Sequence, residues 1–379
     1  MRPSPSRRSL IALLLASASL AATGCGSSSP AIDDSPPAPG YTLVGTSTDI
    51  DVCNTDAAAP LLRCTASNTT TPRLALAVCG DLVVNAPLTL DQDGSNVEVS
   101  GTTTTSAPLS VDGAFSSTGS VTATNTQSFA GDFTTAGDWT TSAPVTVGGN
   151  ATLGGALNAG NTVTVTGTTT QNVPGVTLDL ACAQAPRVAT LVSTAAAQPD
   201  ADTLAILPSA SLVNVDAATE LTLGCGQYAL DSLGVNAALT LHIQGTTTLL
   251  VTGDVHVAAP LVIDLKDSAA MFDLAIGGAL TVDNTVTIGG ADDGARASQI
   301  WVGVGGAMTL GAPVTLDGSL LVNGLVTASN TLDVTGSAFL GGLAVASPVN
   351  VHLTAGAPAT TTSGCAIPGE ADGVLLRSR

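Results

Sequence analysis

The sequence predicts an all-β fold, a parallel β-solenoid, and three observations carry that reading. A unit of two short alternating strands around a small-residue corner, Gly-Gly-Ala-Leu-Thr-Val-Asp-Asn-Thr-Val-Thr-Ile at residues 277–288, returns as Gly-Gly-Ala-Met-Thr-Leu-Gly-Ala-Pro-Val-Thr-Leu at 305–316. Weaker echoes follow at 324–329 and 342–347. Corners recur at a near-constant step: Ala86, Ala107, Asn125, Ala143 and Asn161 are 21, 18, 18 and 18 residues apart, and Ala312, Ala328 and Ala346 are 16 and 18 apart. A period near 18 with strand alternation and no helical spacing is the signature of stacked β-coils. Finally, aromatics are 2% and glycines number 41. Val, Leu, Ala and Thr must therefore build the interior, and β-branched residues suit pleated strands.

Residues 1–24 have the plan of an export signal. Arg2, Arg7 and Arg8 form a basic start, and residues 10–20 are an apolar run too short to span a bilayer. Ala22-Thr23-Gly24-Cys25 resembles the lipobox of bacterial lipoproteins. The resemblance implies acylation of Cys25 and cleavage before it. Gly26 stands where an inner-membrane retention signal would have Asp, so similarity to Gram-negative lipoproteins implies the outer membrane, on its cell-surface or periplasmic side. Ser6-Arg7-Arg8-Ser9-Leu10 partly matches a twin-arginine motif but lacks its Phe, which favours Sec export.

Residues 25–50 read as a lipid-anchored tether, rich in Ser, Pro and Gly between Gly26 and Gly40. Residues 51–181 form a first solenoid section. Residues 182–223 lack the corner rhythm and read as a connector with one short helix. A C-terminal section at 224–354 resumes the pattern, and 355–379 is a tail. The two sections share a unit: Gly80-Asp81-Leu82-Val83-Val84-Asn85-Ala86-Pro87-Leu88-Thr89-Leu90-Asp91 matches residues 253–264 at seven of twelve positions. Residues 289–298 read as an insert within one coil. Each coil is expected to hold two or three strands, apolar side chains inward and Thr, Ser and Asp outward. Some sixteen coils would give a rod of roughly 80 Å.

Six cysteines follow Cys25: Cys53, Cys64, Cys79, Cys182, Cys225 and Cys365. An even number in an exported chain reads as three disulfides, and Cys53–Cys64 is the first local pairing expected. The remaining pairings are open.

From about residue 224 to 353 the chain resembles an uncharacterised right-handed β-helix domain of exported bacterial proteins. The likeness lies in Gly226-Gln227-Tyr228, residues 249–255, Ile300-Trp301-Val302 and the closing Gly-Leu-Ala-Val and Val-Asn-Val-His units. His352 is followed by Leu353, where that family places an acid. The resemblance implies a right-handed coil and transfers no catalytic residue. A looser similarity exists to bactofilins, polymerising β-helices with shorter, uninterrupted repeats.

The net charge is −19, or −22 once the three N-terminal arginines are removed, and Lys266 is the only lysine. Such a surface excludes nucleic acid as a partner. It also speaks against a cationic polysaccharide cleft. The acidic pairs Asp33-Asp34 and Asp292-Asp293 fall in tether and insert, and Trp139, Trp301, Tyr41 and Tyr228 are too scattered for a sugar platform. No catalytic set is expected. Asp91, Asp93, Asn96 and Glu98 resemble part of a calcium loop, against the plainer reading of a turn. No other cofactor is expected. His242, His256 and His352 are read as packed or solvent-facing strand residues. Thr runs at 102–105, 168–170 and 246–248 could form outward hydroxyl ladders.

The expectation is thus a non-enzymatic, lipid-anchored envelope protein, structural or adhesive, whose partners are the outer membrane and a polysaccharide or envelope protein. The alternatives are an end-to-end polymerising β-helix and a polysaccharide-active enzyme.

Overall fold

A computed structural model describes residues 41–43, 63–67, 74–92, 94–178, 180, 182, 187–196, 202–203, 213–224, 226–289, 297, 299–352 and 361–366. The strands Tyr41–Leu43, Arg63–Ser67, Asp202–Thr203 and Thr361–Ala366 are described by backbone alone.

The body is a parallel β-solenoid with three strands per coil. One coil is Leu82–Val84, Leu88–Leu90 and Asn96–Val99, and these open its first, second and third faces. From Thr103 to Thr170 the strands recur on a six-residue beat, each pairing in parallel with the strand three places on: Thr103–Thr105 with Val121–Ala123, Leu109–Val111 with Gln127–Phe129. Within a hexad the first and third residues point inward and the second outward, so strands such as Val145–Val147 alternate buried and exposed. Three inward-outward-inward residues and a three-residue corner are the shortest unit that turns the chain through one side of a triangular coil. The 18-residue corner step seen in the sequence is three such units.

Chain order and stacking order differ. Numbering turns along the stack, turn 1 contains Val213–Val215, Thr219–Leu223 and Gly226–Leu230. The C-terminal section climbs from there to the strand Ala338–Val345 and then Val349–His352. That end meets the beginning of the N-terminal section in ordinary register: Leu340 lies beside Val78, Leu343 beside Leu82, and Val349 beside Leu88. Turn 7 is composite. Its first two strands are residues 343–345 and Val349–His352, and its third is Leu74–Val78, all five residues of which are buried. Turns 8–12 then run from Leu82 to Thr170. From Leu74 the chain therefore runs from the middle of the rod to one end, returns, and builds from the other end back to the middle.

The stack has twelve turns rather than sixteen, spanning roughly 55 Å. The C-terminal turns consume more chain: Leu239, Leu261, Val286, Val314, Leu332 and Val349 occupy one stacked row and are 22, 25, 28, 18 and 17 residues apart. The long steps reflect longer strands, and one includes the expected insert, whose residues 290–296 and 298 lie outside the described set.

The return segment carries α1 (Val188–Ala196), the short helix expected in the connector. Its buried residues Val188, Leu191, Val192 and Ala195 form one helical stripe. The stripe packs on outward residues of the third face, Leu250, Ala275, Trp301 and Leu321, with Ala229 and Phe339 at the margins. Asn323 Oδ1 accepts the Val188 amide at 2.7 Å, satisfying a donor at the helix start. Two strands of turn 1, Val213–Val215 and Thr219–Leu223, lie within the span read as connector.

The interior differs along the rod. The C-terminal section is filled with Leu, Ile and Val. In turns 9–11 the core contains Phe115, Phe129, Phe133 and Trp139, with Phe133 and Trp139 stacked at 4.1 Å between centroids. Four of the chain's nine aromatics thus share one stretch of core. Inward positions also hold Thr103, Thr105, Ser117, Gln127, Thr135 and Thr141, all buried. Corner carbonyls accept several of these hydroxyls: Ser117 donates to Gly101 O, Thr135 to Gly119 O and Thr141 to Ala143 O. The expected rule of apolar inside and hydroxyl outside is corrected here, because a corner carbonyl makes a buried hydroxyl affordable.

Corners stack as well. Along one edge Ala86-Pro87, Ala107-Pro108, Asn125-Thr126, Ala143-Pro144 and Asn161-Thr162 succeed one another. Each Asn bridges turns: Asn125 Oδ1 accepts the Thr126 amide while its Nδ2 donates to Ser106 O of the preceding coil. In the C-terminal section this edge passes through Ala312, Asn330 and Ser347, so Ala328 and Ala346 are strand-end neighbours rather than the corner itself.

Candidate functional site

Two faces of the rod are free of α1. On the second face the outward row reads Thr287, Thr315, Asp333, Asn350, Thr89, Ser110, Ser128, Thr146 and Thr164. On the first face it includes Thr281, Thr309 and Thr327, then, beyond the seam, Thr104, Thr122 and Thr140. These rows are rich in hydroxyls, but they take one residue from each coil. The consecutive Thr runs give them at most alternate residues: Thr104 joins the first-face row, but Thr103 and Thr105 point inward, and Thr247 and Thr248 are buried. A run along one strand must alternate faces, whereas a ladder runs across strands.

The three histidines lie among acidic residues of neighbouring coils. His256 Nε2 is 2.8 Å from Asp283 Oδ2. His242 contacts Glu220 through Nε2 and has Asp264 Oδ2 at 3.6 Å from Nδ1. His352 bridges the seam, with Nδ1 at 2.5 Å from Asp91 Oδ1 and Nε2 at 3.2 Å from Asp333 Oδ1. Each is a strand residue whose ring contacts a carboxylate of a neighbouring coil on the partly solvated surface, and such a contact, when charged, contributes up to about 1 kcal/mol. Lys266 joins Asp264 at 2.7 Å.

The residues of the calcium-loop reading have separate employments. Asp91 faces His352, Asn96 Oδ1 accepts the Ala114 amide at 2.7 Å, and Glu98 lies on the outward row of the third face. Asp93 lies outside the described residues. Among the described residues no group of three or more His, Cys, Asp or Glu side chains could hold a metal ion. Asn96 belongs to a repeated corner device. Asp81, Asp132, Asp138, Asn150 and Asp254 likewise accept a backbone amide one coil on, from Thr102, Asn150, Ala156, Thr168 and Ala279. The Thr102 amide, and then its hydroxyl, hold the Asp81 carboxyl below the usual carboxylate value.

Of the cysteines, Cys79 and Cys182 form a disulfide with Cα atoms 5.2 Å apart, which ties the return segment to the composite turn. Cys64 in the strand Arg63–Ser67 lies across from Cys365 in the antiparallel strand Thr361–Ala366. Cys25, Cys53 and Cys225 lie outside the described residues, as do the signal, lipobox and most of the tether. Trp139 and Tyr228 are core residues and Trp301 sits beneath α1, so none of these three offers a sugar platform.

One end of the rod has a surface that the sequence reading did not isolate. The strands of turn 12, Leu157–Ala159, Val163–Val165 and Thr169–Thr170, each pair on one side only among the described residues. Leu157, Val163 and Val165 are part-exposed where the residues one coil inward, Trp139, Val145 and Val147, are at most 2% exposed. The available signal was the absence of any charged residue from Trp139 to Leu178 in so acidic a chain.

Comparison with known proteins finds no matching family model, no matching curated protein and no matching solved structure.

Proposed function

We propose that this chain is a lipid-anchored, non-enzymatic rod of the bacterial cell envelope that serves a structural or adhesive role, presenting its outward rows to a polysaccharide or envelope protein. The observation that carries the reading is the twelve-turn stack, in which the strands on the two sides of the seam at turn 7 pair in parallel without a register shift. Continuous ladders and a continuous core make a stiff spacer, and a solenoid's extended surfaces are its means of binding. The lipobox-like Ala22-Thr23-Gly24-Cys25 supports anchoring to the outer membrane. The strand Tyr41–Leu43, inside the span read as the tether, pairs with Leu221–Leu223 on turn 1.

The test is made in cells of the native host. Fatty-acid labelling should mark the wild-type chain and vanish in Cys25→Ala, while an impermeant label on a C-terminally tagged chain reports the side of the membrane. Labelling of intact cells supports adhesion; protection until the outer membrane is opened supports a periplasmic spacer. Equal fatty-acid incorporation into both chains, or none into either, sinks the anchored reading.

A further inference from the structure

We infer that turn 12 is a self-association surface, joining two copies of this chain end to end about a twofold axis. The inference concerns the folded body alone and does not depend on the lipid anchor.

Four observations converge on it. The first is backbone chemistry. Among the described residues, strands Leu157–Ala159, Val163–Val165 and Thr169–Thr170 have no strand partner on their outer edges, on all three faces at once. Within this edge one amide is capped locally, that of Leu157 by Gln171 Oε1 at 2.9 Å. The second is electrostatic. Natural edges are guarded by charge, proline or bulges, yet residues 157–170 contain no charged residue and no proline. In a chain of net charge −19, the absence of charge from this end removes like-charge repulsion between two copies of it.

The third observation selects the partner. An edge on three sides of a coil needs a ligand that presents three strands with the same spacing, and another turn 12 does so. The opposite end is less suited. Turn 1 already has the antiparallel strand Tyr41–Leu43 on its second face and Asp202–Thr203 on its third, and it bears Asp216 and Glu220.

The fourth selects the symmetry. Thr162-Val163-Thr164-Val165-Thr166 is a palindrome. A twofold axis through Thr164 pairs this strand with its own copy in antiparallel register. It places Thr164 outward against Thr164 of the partner subunit and Val163 inward against the partner's Val165. The same axis exchanges the first and third faces, bringing Leu157–Ala159 onto the partner's Thr169–Thr170. Such an isologous contact closes at two copies, whereas a head-to-tail contact would propagate.

The experiment uses the mature full chain with Cys25→Ser, so that failure of the anchoring reading cannot imitate failure of this one. Sedimentation equilibrium over a wide concentration range should show a monomer–dimer equilibrium and nothing larger. Thr164→Lys, which sets like charges face to face on the axis, should weaken the dimer by at least about tenfold. Thr146→Lys, at the equivalent exposed position one coil inward, should leave it unchanged. Circular dichroism of both variants should match the parent chain. Thr164→Cys should give a covalent dimer on mild oxidation, and Thr146→Cys should not. A chain monomeric throughout, a dimer indifferent to Thr164→Lys, or open-ended filaments would each overturn the inference.

Discussion

Replacing Cys79 and Cys182 together by serine should cost this protein several kcal/mol, and the loss should fall on one half of the rod. The bond closes a loop with a sequence separation of 103 residues. Chain-entropy restriction of the unfolded state for that length is worth about 4.7 kcal/mol, and native disulfides generally contribute about 2–5 kcal/mol. The loop contains turns 8–12 entire, because Cys79 directly follows the strand Leu74–Val78 and Cys182 lies beyond Thr170. Trp139 lies inside the loop, buried against Phe133, and Trp301 lies outside it, beneath α1. Each indole therefore reports on one section. Urea unfolding followed by fluorescence in Trp301→Phe and Trp139→Phe backgrounds should show the Trp139 transition moving to lower denaturant in the serine variant. The expected loss is about 3–5 kcal/mol, with a smaller shift at Trp301. A Trp139 transition displaced by less than about 1 kcal/mol would refute the reasoning, as would equal displacement of both. The first outcome would mean that the stack alone restrains the loop; the second, that the rod unfolds as one unit.

Leu76→Ala, which empties a fully buried site in the composite turn, should cost about 2–5 kcal/mol. Calorimetry should resolve the two sections more clearly in that variant than in the parent chain, since the seam is their joint. Gly119→Ala should destabilise by about 1–3 kcal/mol in denaturant: a Cβ there would stand 2.5 Å from Gly101 O of the adjacent coil. Asp81 has a folded-state pKa below its unfolded value, so its contribution is present above the ordinary carboxylate value and is lost as pH falls through the lower folded one. Acid titration of stability should therefore be shallower in Asp81→Asn, whose amide oxygen keeps the bond from Thr102 that Asn96 and Asn150 make in their own coils. An unchanged slope would show that Asp81 does not contribute to the acid response.

The solenoid was legible in the sequence because its determinants are local and repeated. Corners at Ala86, Ala107, Asn125, Ala143 and Asn161 mark a coil each, and they stack as spaced. The hexad within that period was harder to see. Inward positions such as Thr105, Gln127 and Thr135 are polar, and a hydropathy pattern cannot anticipate that a corner carbonyl or a neighbouring hydroxyl will bond them; Gln127 Nε2, for instance, donates to Thr105 Oγ1 inside the core, and Thr135 to Gly119 O. For the same reason the hydroxyl ladders lay across strands, at one residue in eighteen, and not along the Thr runs.

What the sequence determined by itself is therefore the repeat, the corner chemistry, the acidic surface and the resemblance to an exported, lipidated chain. Only the tertiary structure decided the order in which the coils stack. Leu74–Val78 completes a turn begun by residues 343–352, more than two hundred and sixty residues away in the chain. No local property of either segment states that pairing, because every coil presents much the same edge and any could in principle accept it. The return segment resolves the choice: α1 covers the apolar stripe of Leu250, Ala275, Trp301 and Leu321, and Cys182 reaches Cys79. Among the described residues those long-range contacts leave the uncharged strands of turn 12 without a further coil, and so place an open β-edge at one end of the rod.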